Sequence, residues 1–219
     1  MSRFIELSHP IEHGMVTYKG LPGPVIADYL SRESSRERYD GGDEFQIGKI
    51  EMVANTGTYV DSPFHRFDGG ADVAALPLER LADLEGVVVR RPFGGGLAID
   101  ADAFAGLDPR GKAVLVATGW DRHWRTDAYF ENHPFLTAAA ARLLADGGAA
   151  IVGIDSHNID DTRGRRRPVH TALLGAGIPI CEHLCRLDQL PDAGFRFFAV
   201  PPPVRGLGTF PVRAFGIVG

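Results

Sequence analysis

The chain of 219 residues is 44% hydrophobic and 23% charged, which is typical of a soluble globular protein and excludes a disordered or fibrous one. Its formal net charge of −5 lacks the basic excess that displaces counterions from nucleic acid, so we expect no nucleic-acid partner. No apolar run approaches the roughly 20 residues that span a bilayer, and charges interrupt the N-terminal segment where a signal peptide is apolar. We therefore expect one domain over residues 1–219, a cytoplasmic location and no membrane partner.

The predicted elements are mainly short strands. The first strand alternates apolar and polar residues, as a half-exposed strand does. Continuous apolar runs follow, of the kind found in strands that are covered on both faces, and two further strands are predicted near the C-terminus. In chain order the predicted strands are residues 45–53, 87–89, 113–117, 149–154, 195–200 and 212–218.

Three helices are predicted, and strands outnumber them. Apolar residues at helical spacing predict a helix over residues 77–84. Thr137 as N-cap and Gly147 as a stop bound a second helix over residues 138–146, and residues 169–174 form the third. The irregular order of strands and helices, without a glycine-rich phosphate loop, excludes a doubly wound nucleotide fold. The sequence therefore predicts a mixed α+β fold.

For two local features the sequence allows more than one role. The run Arg-Gly-Arg-Arg-Arg-Pro at residues 163–168 is either a solvated loop or a contact for an anion or a substrate carboxylate. Trp120 lies in a loop after a strand, where it could contact an aromatic substrate or seal the core or a subunit interface.

The segment from Asn55 to His65 is the most informative part of the chain. If it is extended as far as Asp61, alternate side chains share one face, and that face carries an amide, the phenol of Tyr59 and a carboxylate. Pro63 then ends the strand, because proline lacks the N–H that a ladder requires. A polar row that leads into a turn with a histidine predicts a pocket lining rather than a core.

This segment resembles the signature H-x-G-T-H-x-D-x-P-x-H of the cyclase family, which includes bacterial kynurenine formamidases and isatin hydrolase. The resemblance extends over almost the whole chain, in the family's order. It is carried by Leu-Ser-His-Pro-Ile at residues 7–11, Val-Gly-Ile-Asp-Ser at residues 152–156, the segment 170–184 that begins His-Thr-Ala-Leu-Leu-Gly, and Pro-Val-Arg-Ala at residues 211–214.

The resemblance implies a compact β/β/α fold with a mixed sheet, usually dimeric, and hydrolysis of a small amide or lactone with zinc or manganese. By position, Asp61, His170 and Glu182 match metal ligands of the family. His65 matches its proton-transfer histidine. We therefore expect a small-molecule substrate and a homodimer or higher oligomer.

Asn55 and Tyr59 stand where the signature has its first two histidine ligands. An amide oxygen and a neutral phenol bind zinc weakly, so the resemblance implies one divalent ion per chain, zinc or manganese, held by the remaining ligands. We expect Asn55 to orient substrate. Tyr59 is either a core aromatic with a satisfied hydroxyl or a hydrogen-bond donor to a substrate oxygen.

Each candidate residue also has an ordinary structural interpretation. Asp61 could cap the following turn, His170 could be a plain residue of a helix's first turn, and Glu182 could pair with an arginine. His65 could be a ligand rather than a proton-transfer group. The alternative function is a metal-free family member that binds a small molecule without converting it.

Overall fold

The computed structural model describes residues 2–219. Its strands are β1 (Arg3–Glu6), β2 (Val25–Leu30), β3 (Ile47–Glu51), β4 (Tyr59–Asp61), β5 (Leu84–Arg90), β6 (Ala98–Ile99), β7 (Ala113–Ala117), β8 (Phe135–Leu136), β9 (Ile151–Ile154), β10 (Ile180–Glu182), β11 (Ala193–Phe198), β12 (Thr209–Pro211) and β13 (Phe215–Val218). The helices are α1 (Arg32–Ser35), α2 (Ala138–Asp146) and α3 (Pro168–Gly175), with single 3-10 turns in several loops.

A nine-stranded mixed sheet, in the order β1-β13-β11-β5-β7-β9-β10-β4-β12, forms the body of the protein. Its four central strands, β5, β7, β9 and β10, run parallel, and the strands outside them pair antiparallel. The mixed fold expected from the sequence is confirmed. None of the helices in the described part of the chain is long and apolar enough to cross a bilayer.

The hydrophobic core lies on both faces of this sheet. Val114 and Val116 of β7 face the layer of α2 and α3, whereas Leu115 between them faces a cluster with Phe195 and Phe197 of β11. All five residues of β7 and all four of β9 are buried, as predicted for strands covered on both sides. Burial on both faces fixes the central strands, and therefore the loops at their ends.

Helix α2 confirms its predicted bounds. The Thr137 side chain accepts a hydrogen bond from the Ala140 N–H, and Gly147 follows the last helical residue. The helix predicted over residues 77–84 is wrong, because only a 3-10 turn forms at Leu78–Arg80. Asp83 then adopts a left-handed φ of 54°, which turns the chain directly into β5.

Two strand predictions need correction. The β3 strand is exposed on both faces rather than half-buried, because it pairs only with β2 in a ribbon outside the main sheet. The polar segment before Asp61 is extended only from Tyr59, because Gly57 turns the chain with a φ of 66°. The polar side chains are therefore not brought together by alternation along one long strand.

Candidate active site

Strand pairing positions the predicted site residues. In the antiparallel pair β4–β10, Tyr59 lies opposite Glu182, and Thr209 of β12 lies opposite Asp61 on the other side of β4. His170 follows Pro168 in the first turn of α3. Together with the turn after β4, these elements enclose a cavity of ≈ 300 Å³, large enough for a small organic molecule. Its lining includes Asn55, Tyr59, His65, His170 and Glu182.

His170 lies between two carboxylates inside the protein. Its Nε2 is 3.6 Å from Oδ2 of Asp61 and 3.7 Å from Oε1 of Glu182, and both acids are fully buried. The Oδ2 atom of Asp61 is buried without a hydrogen-bond partner in the described structure. Burying a carboxylate oxygen without a donor costs free energy, so a cation or a proton next to this atom would stabilise the folded protein.

Asp160 holds the His170 ring in place. Its Oδ2 is 2.7 Å from Nδ1 of His170, and its carboxylate also accepts the backbone N–H groups of Val169 and His170. With Nδ1–H donated to Asp160, Nε2 is the ring atom that faces Asp61 and Glu182. A carboxylate on the far nitrogen is the arrangement that orients metal-ligating histidines.

Excess negative charge in the site shifts the pKa of its members. Burial opposes a charge on His170, but hydrogen bonding to Asp160 and the carboxylates of Asp61 and Glu182 outweigh it and raise the pKa to about 10. Burial, together with the charge of Asp61, raises the pKa of Glu182, while His170 opposes that rise. Positive charge is therefore strongly favoured between these groups.

The residues present fit a divalent cation. One imidazole nitrogen and carboxylate oxygens are ligands that zinc and manganese accept. The potential ligand atoms of Asp61, His65 and His170 lie within 4.8 Å of one another. Glu182 approaches His170 with Oε1. This group of three includes His65 and not Glu182, so the geometry supports His65 as a ligand, whereas the set of Asp61, His170 and Glu182 stays a prediction.

Thr209 links His65 to Asp61. Its hydroxyl donates to Oδ1 of Asp61, and its oxygen lies 2.9 Å from Nδ1 of His65. A hydroxyl has one hydrogen, and a carboxylate only accepts, so His65 Nδ1–H must donate to Thr209. In a neutral ring this leaves Nε2 as an acceptor. The His65 side chain is 35% exposed, which leaves it in contact with the cavity.

The other oxygen of Glu182 is surrounded by neutral donors. Tyr59 donates to Oε2 at 2.6 Å, Tyr18 lies 3.2 Å from the same atom, and the Asn158 amide lies at 3.4 Å. The Ile159 N–H donates to Oε1 at 2.7 Å. Burial and the charge of Glu182 raise the pKa of both phenols well above their usual value, so each remains a neutral hydrogen-bond donor.

The structure brings most of the predicted residues together, whereas Trp120 lies outside the cavity. Asn55 lines the cavity, and Tyr59 is both buried and bonded through its hydroxyl. Trp120 does not line this cavity: it is buried, and its Nε1 donates to the Tyr129 carbonyl. Its packing against Phe93 supports the sealing role rather than substrate contact.

Sequence reasoning missed Tyr18, Asp160 and Thr209. Asp160 precedes α3 in a run of acids and amides, where a helix-capping role could have been suspected. Tyr18 and Thr209 carry no such signal, because tertiary structure alone brings them to the site from distant parts of the chain.

His157 lies beside the cavity, with its ring centroid 4.6 Å from that of Tyr18. Burial, assisted by the positive charge of Arg167 and by His133, lowers the pKa of His157 to about 3. This histidine is therefore neutral in the folded protein at every physiological pH.

Comparison with known proteins agrees with this architecture. The family model Cyclase, described as "Putative cyclase", matches residues 5–161. Kynurenine formamidase of Bacillus cereus is 26% identical over 220 residues, covering 97% of this chain and 96% of the relative. Kynurenine formamidase of Geobacillus thermodenitrificans is 27% identical over 216 residues, with 98% and 97% covered.

Solved structures of related proteins have the same fold. A "potential metal-dependent hydrolase with cyclase activity" superposes with a TM-score of 0.80 at 27% identity, over 100% of this chain and 99% of the other. Isatin hydrolase A from Labrenzia aggregata has a TM-score of 0.84 at 22% identity, over 99% and 94%. The match of the family model to most of the chain and the full-length relatives lead to one assignment: the chain belongs to the cyclase family.

Proposed function

We propose that this protein is a metal-dependent hydrolase that cleaves a small amide or lactone. The observation that carries the proposal is the pair of His170 Nε2 and the unpartnered Oδ2 of Asp61, 3.6 Å apart in a buried site with excess negative charge. The names of the relatives support the reaction type, since kynurenine formamidase and isatin hydrolase are both hydrolases by name.

Asp61, His170 and Glu182 would hold one zinc or manganese ion. When bound, the ion would polarise the substrate carbonyl and lower the pKa of a water towards neutrality. Asp160 keeps the His170 ring in the orientation that points Nε2 at the site. The oxygen-rich ligand set makes manganese as suitable as zinc.

His65 is the proton-transfer residue in this proposal. Its Nδ1–H is held by Thr209, so the free Nε2 can accept a proton from the attacking water and deliver it to the leaving nitrogen or oxygen. Coordination through Nδ1 would instead require His65 to give up this hydrogen bond. The Thr209 contact therefore disfavours coordination through Nδ1 and leaves Nε2 free for proton transfer.

Asn55 and Tyr59 complete the cavity around the substrate. Asn55 lines the cavity with an amide that can orient a substrate oxygen or nitrogen. Tyr59 holds one oxygen of Glu182, so its hydrogen is already used and a substrate would meet its ring rather than a free hydroxyl.

Two variants separate coordination from proton transfer. His170→Ala should lose bound metal and activity together, because it removes the only imidazole of the proposed ligand set. His65→Asn should keep the metal and lower kcat by roughly 10²- to 10⁴-fold. The measurements are metal content by mass spectrometry and hydrolysis of aryl formamides, cyclic imides and lactones, with circular dichroism as the folding control.

The outcomes distinguish the candidate functions. Loss of metal from His65→Asn would make His65 a ligand. Less than about a tenth of an ion per chain, with no activation by added Zn²⁺ or Mn²⁺, would contradict metal dependence. Tight binding of a substrate analogue without turnover would then favour the metal-free binding protein.

We also propose that the chain forms a homodimer through the β2–β3 ribbon. The ribbon exposes apolar side chains, among them Tyr29 at 73%, Ile47 at 49% and Ile50 at 50%, which is unusual on a free surface. Light scattering of the wild type should give twice the chain mass. Tyr29→Glu/Ile47→Lys should give a monomer, and Leu78→Lys, at an exposed site away from the ribbon, should leave the mass unchanged.

A further inference from the structure

A groove rich in arginine adjoins the candidate active site. It has a volume of ≈ 920 Å³ and lies between the loop before α3, the exposed side of α2 and the turn after β4. Arg66 and Arg167 line both this groove and the cavity that holds His65 and His170. We call it the arginine groove, after Arg66, Arg142, Arg165, Arg166 and Arg167.

No carboxylate of residues 2–219 lies within 4.0 Å of any of these five guanidinium groups. The nearest acid along the loop, Asp161, is paired with Arg163 at 2.9 and 2.8 Å. That pairing lowers the pKa of Asp161 to about 2. Five uncompensated charges around one concavity repel one another, which an anionic ligand would relieve.

The two arginines at the boundary are held in place. Nη1 of Arg167 donates to the carbonyl oxygens of Gly164 and Arg166, both at 2.9 Å, and its other nitrogens make no hydrogen bond to the described residues. Nε of Arg66 donates to Thr171 at 3.2 Å. A guanidinium that is already fixed loses little freedom when it binds an oxyanion, and its fork of N–H groups matches a carboxylate or a phosphoryl group.

We propose that the arginine groove binds an oxyanion arm of the substrate, a carboxylate or a phosphoryl group, while the scissile bond lies beside His65 and His170. The inference rests on the proposed hydrolase function and adds the substrate class: an amide or lactone that carries an anionic group. The arginine run at residues 163–168 then has the anion-contact role rather than that of a solvated loop.

The first test is a binding titration that does not depend on catalysis. Calorimetry at constant ionic strength follows phthalate as a carboxylate probe and phenyl phosphate as a phosphoryl probe, on the protein as purified and again after chelation. We expect saturable binding that persists after chelation and weakens with added salt. The tighter probe identifies the source of the oxyanion.

Arginine variants locate the binding. Arg66→Gln/Arg167→Gln should weaken the preferred probe by about tenfold or more. Arg142→Gln, at an exposed position on α2 without a hydrogen bond to lose, should weaken it by about threefold and decides the question if the double variant fails to fold. Arg110→Gln is the matched control, an exposed arginine outside the groove. Absence of saturable binding, no effect of Arg142→Gln, or an equal loss in Arg110→Gln would overturn the proposal.

A kinetic comparison connects the groove to the substrate. The wild type should hydrolyse an aryl formamide that bears a ring carboxylate with about tenfold higher kcat/KM than the same compound without it. In Arg66→Gln/Arg167→Gln this ratio should fall towards one. If neither compound is hydrolysed, the hydrolase proposal fails, but the titration still tests whether the arginine groove binds an oxyanion. If both are hydrolysed equally and neither probe binds, the groove proposal fails and the hydrolase stands.

Discussion

Replacement of Tyr59 by phenylalanine tests the interpretation of the site's departure from the family signature. The ring of Tyr59 is almost completely buried, and phenylalanine keeps that packing while removing the hydroxyl that donates to Glu182 at 2.6 Å. A hydrogen bond to a charged group contributes about 1.5–3 kcal/mol. Tyr18 remains 3.2 Å from the same oxygen and can strengthen its own bond, so we expect a loss of about 1.5–2 kcal/mol.

The assay is thermal unfolding, together with urea unfolding for the free energy, both followed by circular dichroism, with chelator and with saturating Zn²⁺ or Mn²⁺. Without metal the Tm should fall by about 3–8 °C, since about 2–4 °C accompanies each kcal/mol in a chain of this size. Metal affinity should be retained, because the oxygen of Glu182 that faces His170 is Oε1, whereas Tyr59 donates to Oε2. Tyr39→Phe is the control, because that side chain is 44% exposed and lies outside the β2–β3 ribbon.

Two results would refute this reasoning. A destabilisation below about 0.5 kcal/mol would mean that the Tyr59 hydroxyl contributes nothing to the folded state beyond what water supplies. Loss of metal from Tyr59→Phe would mean that the phenol oxygen itself is a ligand, so that tyrosine replaces the signature histidine in coordination rather than in hydrogen bonding.

Three further changes probe the scaffold of the site. Asp160→Asn removes the negative charge and one of the two acceptor oxygens that hold the ligand imidazole and the start of α3, and metal affinity measured by competitive chelation should fall by about 10- to 100-fold. In Gly208→Ala the new Cβ would lie 2.5 Å from the backbone N and Cα of His65, so kcat should fall sharply, whereas Gly69→Ala, with open space around it, should match the wild type. The depressed pKa of His157, about 3, means that between pH 6.5 and 4 the unfolded chain binds a proton that the folded chain does not, so this residue costs stability as pH falls. His157→Asn should make the pH dependence of unfolding free energy shallower there by about 1.4 kcal/mol per pH unit, and an unchanged slope would contradict the assignment.

The central strands and α2 could be predicted because their signals are local. The apolar run at residues 113–117 requires cover on both faces wherever it lies, and Thr137 and Gly147 bound α2 by hydrogen bonding within one turn. The helix predicted over residues 77–84 does not form, because its apolar residues lie in different environments. Leu78 is exposed, whereas Leu81 packs into the core at the turn before β5.

Only the residues of the candidate site that match the family's motifs could be predicted from the sequence. Asp61, His65, His170 and Glu182 were identified as residue types in the family's order, but the partners that determine their behaviour were not. Thr209 reaches Asp61 from 148 positions along the chain. Such contacts follow from strand order, in which β4 lies between β10 and β12, and sequence spacing does not encode that order directly.

The hydrogen bonds of Glu182 give a physical interpretation of the positions where this chain lacks the two signature histidines. A buried carboxylate needs donors or a counter-charge, and Glu182 obtains its donors from two phenols, the Asn158 amide and the Ile159 N–H, all of them neutral. On the Tyr59 side the charge is thus satisfied without a cation. By contrast, Oδ2 of Asp61 has no donor among the described residues and lies 3.6 Å from Nε2 of His170. The oxygen that still lacks a donor therefore lies between Asp61 and His170, which is where the proposed single ion would bind.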